Sequence, residues 1–158
     1  MAARRDIPVA ALAQVHVLFH SYATTAGRVA STVTYIRDGG VRVIVELGMV
    51  PTPHAILDPL AILGESASTI TDVVFSHHQP DHALNAALFP NARYHDHWPI
   101  YQADEWKSRF AGGFLLSPSI RLIATPGHTP QDSTTLVGTA SGVVACTPLW
   151  WLAFAGSS

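Results

Sequence analysis

Charge and cysteine are both scarce in this chain. Only 13% of its 158 residues are charged, and there is a single cysteine, Cys146. One cysteine excludes an internal disulfide framework and fits a reducing compartment, so the expected location is cytoplasmic. Nine Lys and Arg against eleven Asp and Glu leave a net charge of −2. That balance lacks the basic surplus of a nucleic-acid or membrane-surface binder. No run approaches the ~20 apolar residues of a transmembrane span. The start is basic at Arg4 and Arg5, but Asp6, Pro8, Gln14 and His16 interrupt any signal-peptide core. Repeats, linkers and low-complexity tracts are missing too. Apolar residues are plentiful at 48%, ample for the core of one domain over residues 1–158. Histidine is also abundant, with nine in the chain.

Hydrophobic patterning predicts strands over Gln14–Tyr22, Ser31–Arg37 and Val41–Leu47, with Asp38-Gly39-Gly40 as a hairpin turn between the last two. A helix should start at Thr52-Pro53, where a cap residue precedes a proline. Ile56, Leu57, Leu60 and Leu63 recur at helical spacing, and Gly64 ends the run. A buried strand follows at Asp72–Phe75, then a helix over Ala83–Phe89. A short strand at Ala92–His95 leads to an expected helix over Pro99–Trp106. Strands are expected again at Gly112–Leu116, Ile120–Ala124, Ser133–Val137 and Val143–Cys146. This order supplies one sheet with its helices and only the opening strands of a second. The apolar end, Trp150-Trp151-Leu152-Ala153-Phe154, stops abruptly, and the chain is read as truncated. An apolar patch of that kind predicts a homodimer or aggregation.

The chemistry concentrates in two stretches. Residues 76–82 read Ser-His-His-Gln-Pro-Asp-His, and residues 125–129 read Thr-Pro-Gly-His-Thr. The first follows a buried strand, and ligands collect at the C-terminal ends of strands in α/β sheets. It fits a His-x-His-x-Asp-His metal loop, with Gln79 where the second histidine belongs. Residues two apart in an extended loop project the same way, so His77 and position 79 would reach one metal together. Asp81 and His82 lie at the start of the next helix, where an aspartate caps free N–H groups and suits the dipole. From there they can reach a second metal. His128 follows a strand, and Pro126-Gly127 turn it back. Imidazole and carboxylate suit zinc or another first-row metal, with manganese and iron the other candidates. A metal with an open position lowers the pKa of water to about 7, which favours hydrolysis.

These two motifs, in this order, resemble the metallo-β-lactamase superfamily over about Val33 to Trp151. Within it the chain is most similar to the group named metallo-β-lactamase domain-containing protein 1 and its microbial relatives. The resemblance implies an α/β fold, the αββα sandwich, with its second half incomplete here. It implies a zinc-dependent hydrolase using a metal-bound hydroxide. His77 and His128 match first-metal ligands, with Gln79 in the remaining place. Asp81 and His82 match second-metal ligands, and Asp81 also orients the attacking water. Three departures weaken the set. Gln79 is a neutral amide and a poor substitute for imidazole on zinc. Thr147-Pro148 follows the late strand where the bridging aspartate belongs. The last histidine of the family lies beyond Ser158. One or two ions, weakly held, are therefore expected. Glu46-Leu47-Gly48 stands where the family often has Asp-x-Gly, and Glu46 could buttress the site.

A small ester, thioester or lactone is the expected substrate class. The alternatives are a catalytically dead relative that serves as a binding module, and an endoribonuclease acting on RNA, which the group alone suggests. The charge balance argues against the last. His16 and His20 are read as structural on one strand, and His54 as solvated. His95 and His97, which flank Asp96, more often pack than touch a site. Cys146 reads as a buried small residue. Ser76 precedes His77, and adjacent residues point apart, so no triad is implied. Trp98, Trp150 and Trp151 could contact substrate, but core packing is the expected role of each.

Overall fold

The structure, a computed structural model, describes residues 12–148. In chain order its strands are β1 (Gln14–Phe19), β2 (Tyr22–Ala23), β3 (Val29–Ala30), β4 (Val33–Asp38), β5 (Val41–Val45), β6 (Asp72–Val74), β7 (Arg93–His95), β8 (Pro99–Gln102), β9 (Glu105–Ser108), β10 (Phe114–Ser117), β11 (Ile120–Ala124), β12 (Ser133–Thr139) and β13 (Gly142–Cys146). Helix α1 spans His54–Ile62 and α2 spans Pro80–Ala83.

One sheet runs β1-β4-β5-β6-β7-β8-β9, and a second runs β10-β11-β12-β13. The β5, β6 and β7 strands are parallel, and all other pairs are antiparallel. Alternation along the central strands builds two cores. Val33, Tyr35, Ile44, Val73 and Phe75 point to one face and pack with Ile56 and Leu60 of α1. Ile36, Val43, Val45 and Val74 point to the other and meet Ile120, Leu122 and Val137 of the second sheet. Both faces of the central strands are buried, which is why they read as continuous Val/Ile runs. Each such side chain contributes about 1.5–3 kcal/mol by leaving water. The layers are helix, sheet, sheet.

Several expected elements take a different form. The segment read as a helix over 99–106 is the β8–β9 hairpin, turned at Ala103-Asp104 with Ala103 at φ 51°. Edge pairing with β7 wins, because it lets Tyr101 and Trp106 continue a stack begun by Tyr94. The first strand breaks at His20-Ser21, so His16 and His20 do not share it. The helix expected over 83–89 begins earlier, as α2, and closes with a 3-10 turn at Ala86–Leu88. The N-cap position of α1 is Pro53, and among the described residues no side-chain bond caps the helix. Among the described residues the second sheet holds the four strands expected over 112–146. The Asp38-Val41 hairpin closes tightly, with Gly39 at φ 59°. Trp150, Trp151, Leu152 and Phe154 lie outside the described residues. Among the described residues no helix is long and apolar enough to cross a membrane.

Candidate metal centre

Two strand ends and one turn build the site. After β5 the chain enters Glu46, whose N–H donates to Val74 O at 2.9 Å. After β6 it enters Phe75 and Ser76, and Phe75 N–H donates to His95 O at 3.0 Å. Ser133 N–H, at the start of β12, donates to Ser76 O at 2.8 Å and ties the second sheet to the loop. Leu47 N–H donates to His82 O at 2.8 Å, and Asn85 Nδ2 donates to Gly48 O at 2.5 Å. A Cβ on Gly48 would lie 1.8 Å from Asp81 O and 2.2 Å from Ser31 Oγ. Only glycine lets the β5 end approach the metal loop this closely.

The imidazoles gather at the loop. The His77 and His82 ring centroids are 4.0 Å apart, and those of His77 and His128 are 5.1 Å apart. Gln79 Oε1 lies 3.2 Å from His77 Nε2 and 3.1 Å from His128 Nε2. An amide oxygen only accepts, so both imidazoles donate to it here. Ser76 Oγ lies 3.0 Å from His77 Nδ1 and 3.4 Å from His82 Nδ1. The expectation that adjacent residues point apart fails at Ser76, because the loop there is no longer an extended strand. Asp81 Oδ2 lies 3.3 Å from His82 Nε2, and Glu46 bonds His82 Nδ1.

Charge follows this packing. Burial and the neighbouring His82 hold the His77 pKa below the ordinary histidine value. Burial opposes protonation of His82 too, but its bond to Glu46 and the charges of Glu46, Asp81 and Asp132 outweigh that and raise its pKa. Asp132 is almost fully buried with Oδ1 3.7 Å from His77 Nδ1. Its carboxyl accepts from the N–H and hydroxyl of Thr129, which outweigh burial and lower its pKa.

The donors can be tested against a metal ion. Ligands around a tetrahedral zinc at roughly 2.0–2.1 Å stand about 3.3–3.4 Å apart. The two edges at Gln79 come close to that length, as does the Asp81–His82 edge for a neighbouring position. Among the described residues no three His, Cys, Asp or Glu side chains form a ligand group. At the first position the third donor is the amide of Gln79. The residues present therefore fit one ion in a mixed nitrogen and oxygen set, beside a second position with two donors.

A cleft of about 680 Å³ opens beside Glu46, Ser76, Asp81 and His82. Val15, Val17, Val29, Val144, Cys146 and Thr147 are among the residues that line it. Burial pushes the Cys146 thiol up to about 11, so it stays protonated at neutral pH. The remaining histidines lie elsewhere. His16 stacks on Tyr35, and His54 is exposed beside Asp58. His95 is fully buried and bonded to Asp72 at 2.8 Å. His97 packs edge-on against Trp98, and Asp96 faces His78 of the metal loop at 3.7 Å. Trp98 is half exposed, not core. Asp132 went unnoticed in the sequence, although its place three residues after Thr129 is a turn signal.

Residues 26–136 match the Metallo-beta-lactamase superfamily. A curated relative, Metallo-beta-lactamase domain-containing protein 1 of Xenopus laevis, is 29% identical over 140 residues. The match covers 82% of this chain, and the chain spans 60% of that relative's length. A Thermotoga maritima protein classed as a metallo-beta-lactamase has the same fold, with a TM-score of 0.68 at 20% identity over 86% of this chain and 78% of that one. An N-acyl homoserine lactone hydrolase, solved with N-hexanoyl-L-homoserine at its catalytic metal centre, follows at TM-score 0.58 and 18% identity, over 79% of this chain and 66% of that one. With the matched region covering well over half of its residues, and the metal loop standing where two strand ends meet, the chain belongs to the metallo-beta-lactamase superfamily.

Proposed function

We propose that the protein is a metal-dependent hydrolase of small esters, thioesters or lactones. In this reading it holds one divalent ion at His77, Gln79 and His128, with Asp81 and His82 at a weaker second position. The observation that carries it is the meeting of His77 Nε2 and His128 Nε2 on Gln79 Oε1, at 3.2 and 3.1 Å. Zinc suits the imidazoles, and manganese or iron would tolerate the amide oxygen better. A bound divalent ion supplies Lewis acidity and makes water acidic enough to attack a carbonyl near pH 7. The chain's own residues do the rest. Ser76 orients His77 through Nδ1, and Glu46 orients His82 in the same way, as outer partners of metal ligands do. Asp81 orients water and takes its proton. The valine-lined cleft suits an acyl chain, in keeping with the acyl product held by the lactone hydrolase neighbour.

A second reading is a binding module without turnover. It rests on the same amide oxygen, which already satisfies both imidazoles and competes with an ion. Elemental analysis after purification without added metal, followed by a panel of activated esters, thioesters and lactones with zinc or manganese, separates the two. Substoichiometric zinc with metal-dependent hydrolysis is expected. Two tightly held zinc ions per chain would overturn the weakened-site reading. Hydrolysis no faster than buffer in excess metal would leave the binding module.

A further inference from the structure

Among the described residues the seven-stranded sheet ends at β9, and all four residues of β9 are exposed. Their backbone directions follow from the pairing. Gln102 and Glu105 face each other across the two-residue turn, and Arg109 N–H donates to Trp98 O at 2.6 Å. N–H and C=O groups alternate sides along an antiparallel strand. Residues 105, 107 and 109 thus turn theirs to β8, while Trp106 and Ser108 turn theirs to the open edge. On the far side of β8 the bond from Asp96 N–H to Pro99 O, at 3.1 Å, has the matching parity.

Edge strands are commonly blunted by lysine, which repels a second copy. Lys107 would do so alone, but Glu105 lies two residues away with its carboxylate 3.0 Å from the ammonium. An antiparallel twofold through Trp106 sets Glu105 of each copy directly opposite Lys107 of the other, on one face. It also sets the outward N–H and C=O of Trp106 against those of Trp106 in the second copy. On the opposite face Phe75, Tyr94, Tyr101 and Trp106 form a continuous stack across four strands, with centroids 6.2, 5.3 and 5.9 Å apart and interplanar angles of 15°, 12° and 13°. The stack runs out of the core and stops at Trp106, which is 69% exposed. Trp106 of a second copy is the next rung at this register. Backbone direction, charge order and stacking select the same axis.

We propose that two copies of this chain pair through their β9 edges about a twofold axis at Trp106, joining their seven-stranded sheets.

Sedimentation velocity of the full chain over a concentration series tests this. The wild type should dimerise with rising concentration. Glu105→Lys sets lysine against lysine at two symmetry-related positions, and Lys107→Glu sets glutamate against glutamate. Each should weaken the dimer about tenfold or more, because opposite-charge pairs become like-charge pairs. The double variant E105K/K107E restores opposite charges at the same register and should recover the dimer. Both side chains are exposed, so far-UV circular dichroism should stay that of the wild type. Ser108→Pro gives an independent check. It removes only an outward N–H, which an edge strand tolerates, and should weaken the dimer with the hairpin intact. A wild type that stays monomeric overturns the proposal. So does a dimer indifferent to the single charge variants, or one that the double variant fails to recover.

Discussion

Gln79 Oε1 lies 3.2 Å from Nε2 of His77, and that nitrogen therefore spends its proton on an amide. His128 does the same from the other side at 3.1 Å. The contact gathers the loop in place of an ion, and it also sets the cost of binding one. In the proposed reading an ion binds the same two nitrogens, so both must give up their protons, and it then accepts a neutral oxygen as its third ligand.

Replacing that oxygen with imidazole should relieve both problems. Gln79→His is expected to raise zinc affinity by at least ~10–100-fold, since changes to groups that merely touch a ligand already move affinity that far. Competition with a chelating dye measures it. An unchanged affinity would mean that position 79 does not face the ion.

In the proposed reading Asp81 handles the proton of water. Asp81→Ala should lower any metal-dependent hydrolysis by at least ~100-fold, as loss of a general base does. The fold should survive, because the N-cap position of α2 is Gln79 and not Asp81. Initial rates on activated lactones, with circular dichroism as control, decide it. Undiminished turnover would place the chemistry elsewhere.

Gly48 meets the backbone of the metal loop with no room for a side chain. Gly48→Ala puts a carbon 1.8 Å from Asp81 O, and a backbone carbonyl cannot rotate aside without moving α2. The expected loss is about 1–3 kcal/mol of stability, accompanied by weaker metal binding. Urea unfolding and a metal titration report the two effects. A variant matching the wild type in both would show that the loop yields freely.

Away from the site, Asp72 should set the acid limit of the fold. It is fully buried and accepts from Arg93, His95 and Thr71 at 2.8–2.9, 2.8 and 2.7 Å. Burial raises its pKa, but the bonds from His95 and Thr71 and the nearby charges outweigh it and hold the carboxyl below the usual aspartate value. A depressed folded pKa contributes stability above the unfolded value of about 3.9. That contribution is lost as pH falls from there through the folded pKa. Asp72→Asn should cost about 3 kcal/mol at pH 7, since it breaks a buried charge network. The gap to wild type should narrow as the acid is titrated. Urea unfolding at neutral and acid pH would refute this if the gap stayed constant.

Much of this was legible in the residues. Val43–Val45 and Val73–Phe75 announce strands buried on both faces, because only apolar β-branched and aromatic runs satisfy two cores at once. His77, Gln79, Asp81 and His82 could be grouped from their short spacing after a strand, and His128 from its Pro-Gly turn; their metal role is the proposal. Local patterning could not decide residues 99–106. Tyr101 and Trp106 become strand residues only when Tyr94 lies alongside them. Ser76 reached its two histidines because the loop leaves the extended conformation, and Asp132 reached His77 from 55 positions away in sequence. Glu46 and Gly48 acquire their meaning only where the end of β5 closes on the metal loop. Short-range spacing depends on backbone geometry, which sequence encodes directly. Contacts between distant segments depend on which surfaces the collapsed core brings together, and that was decided in three dimensions.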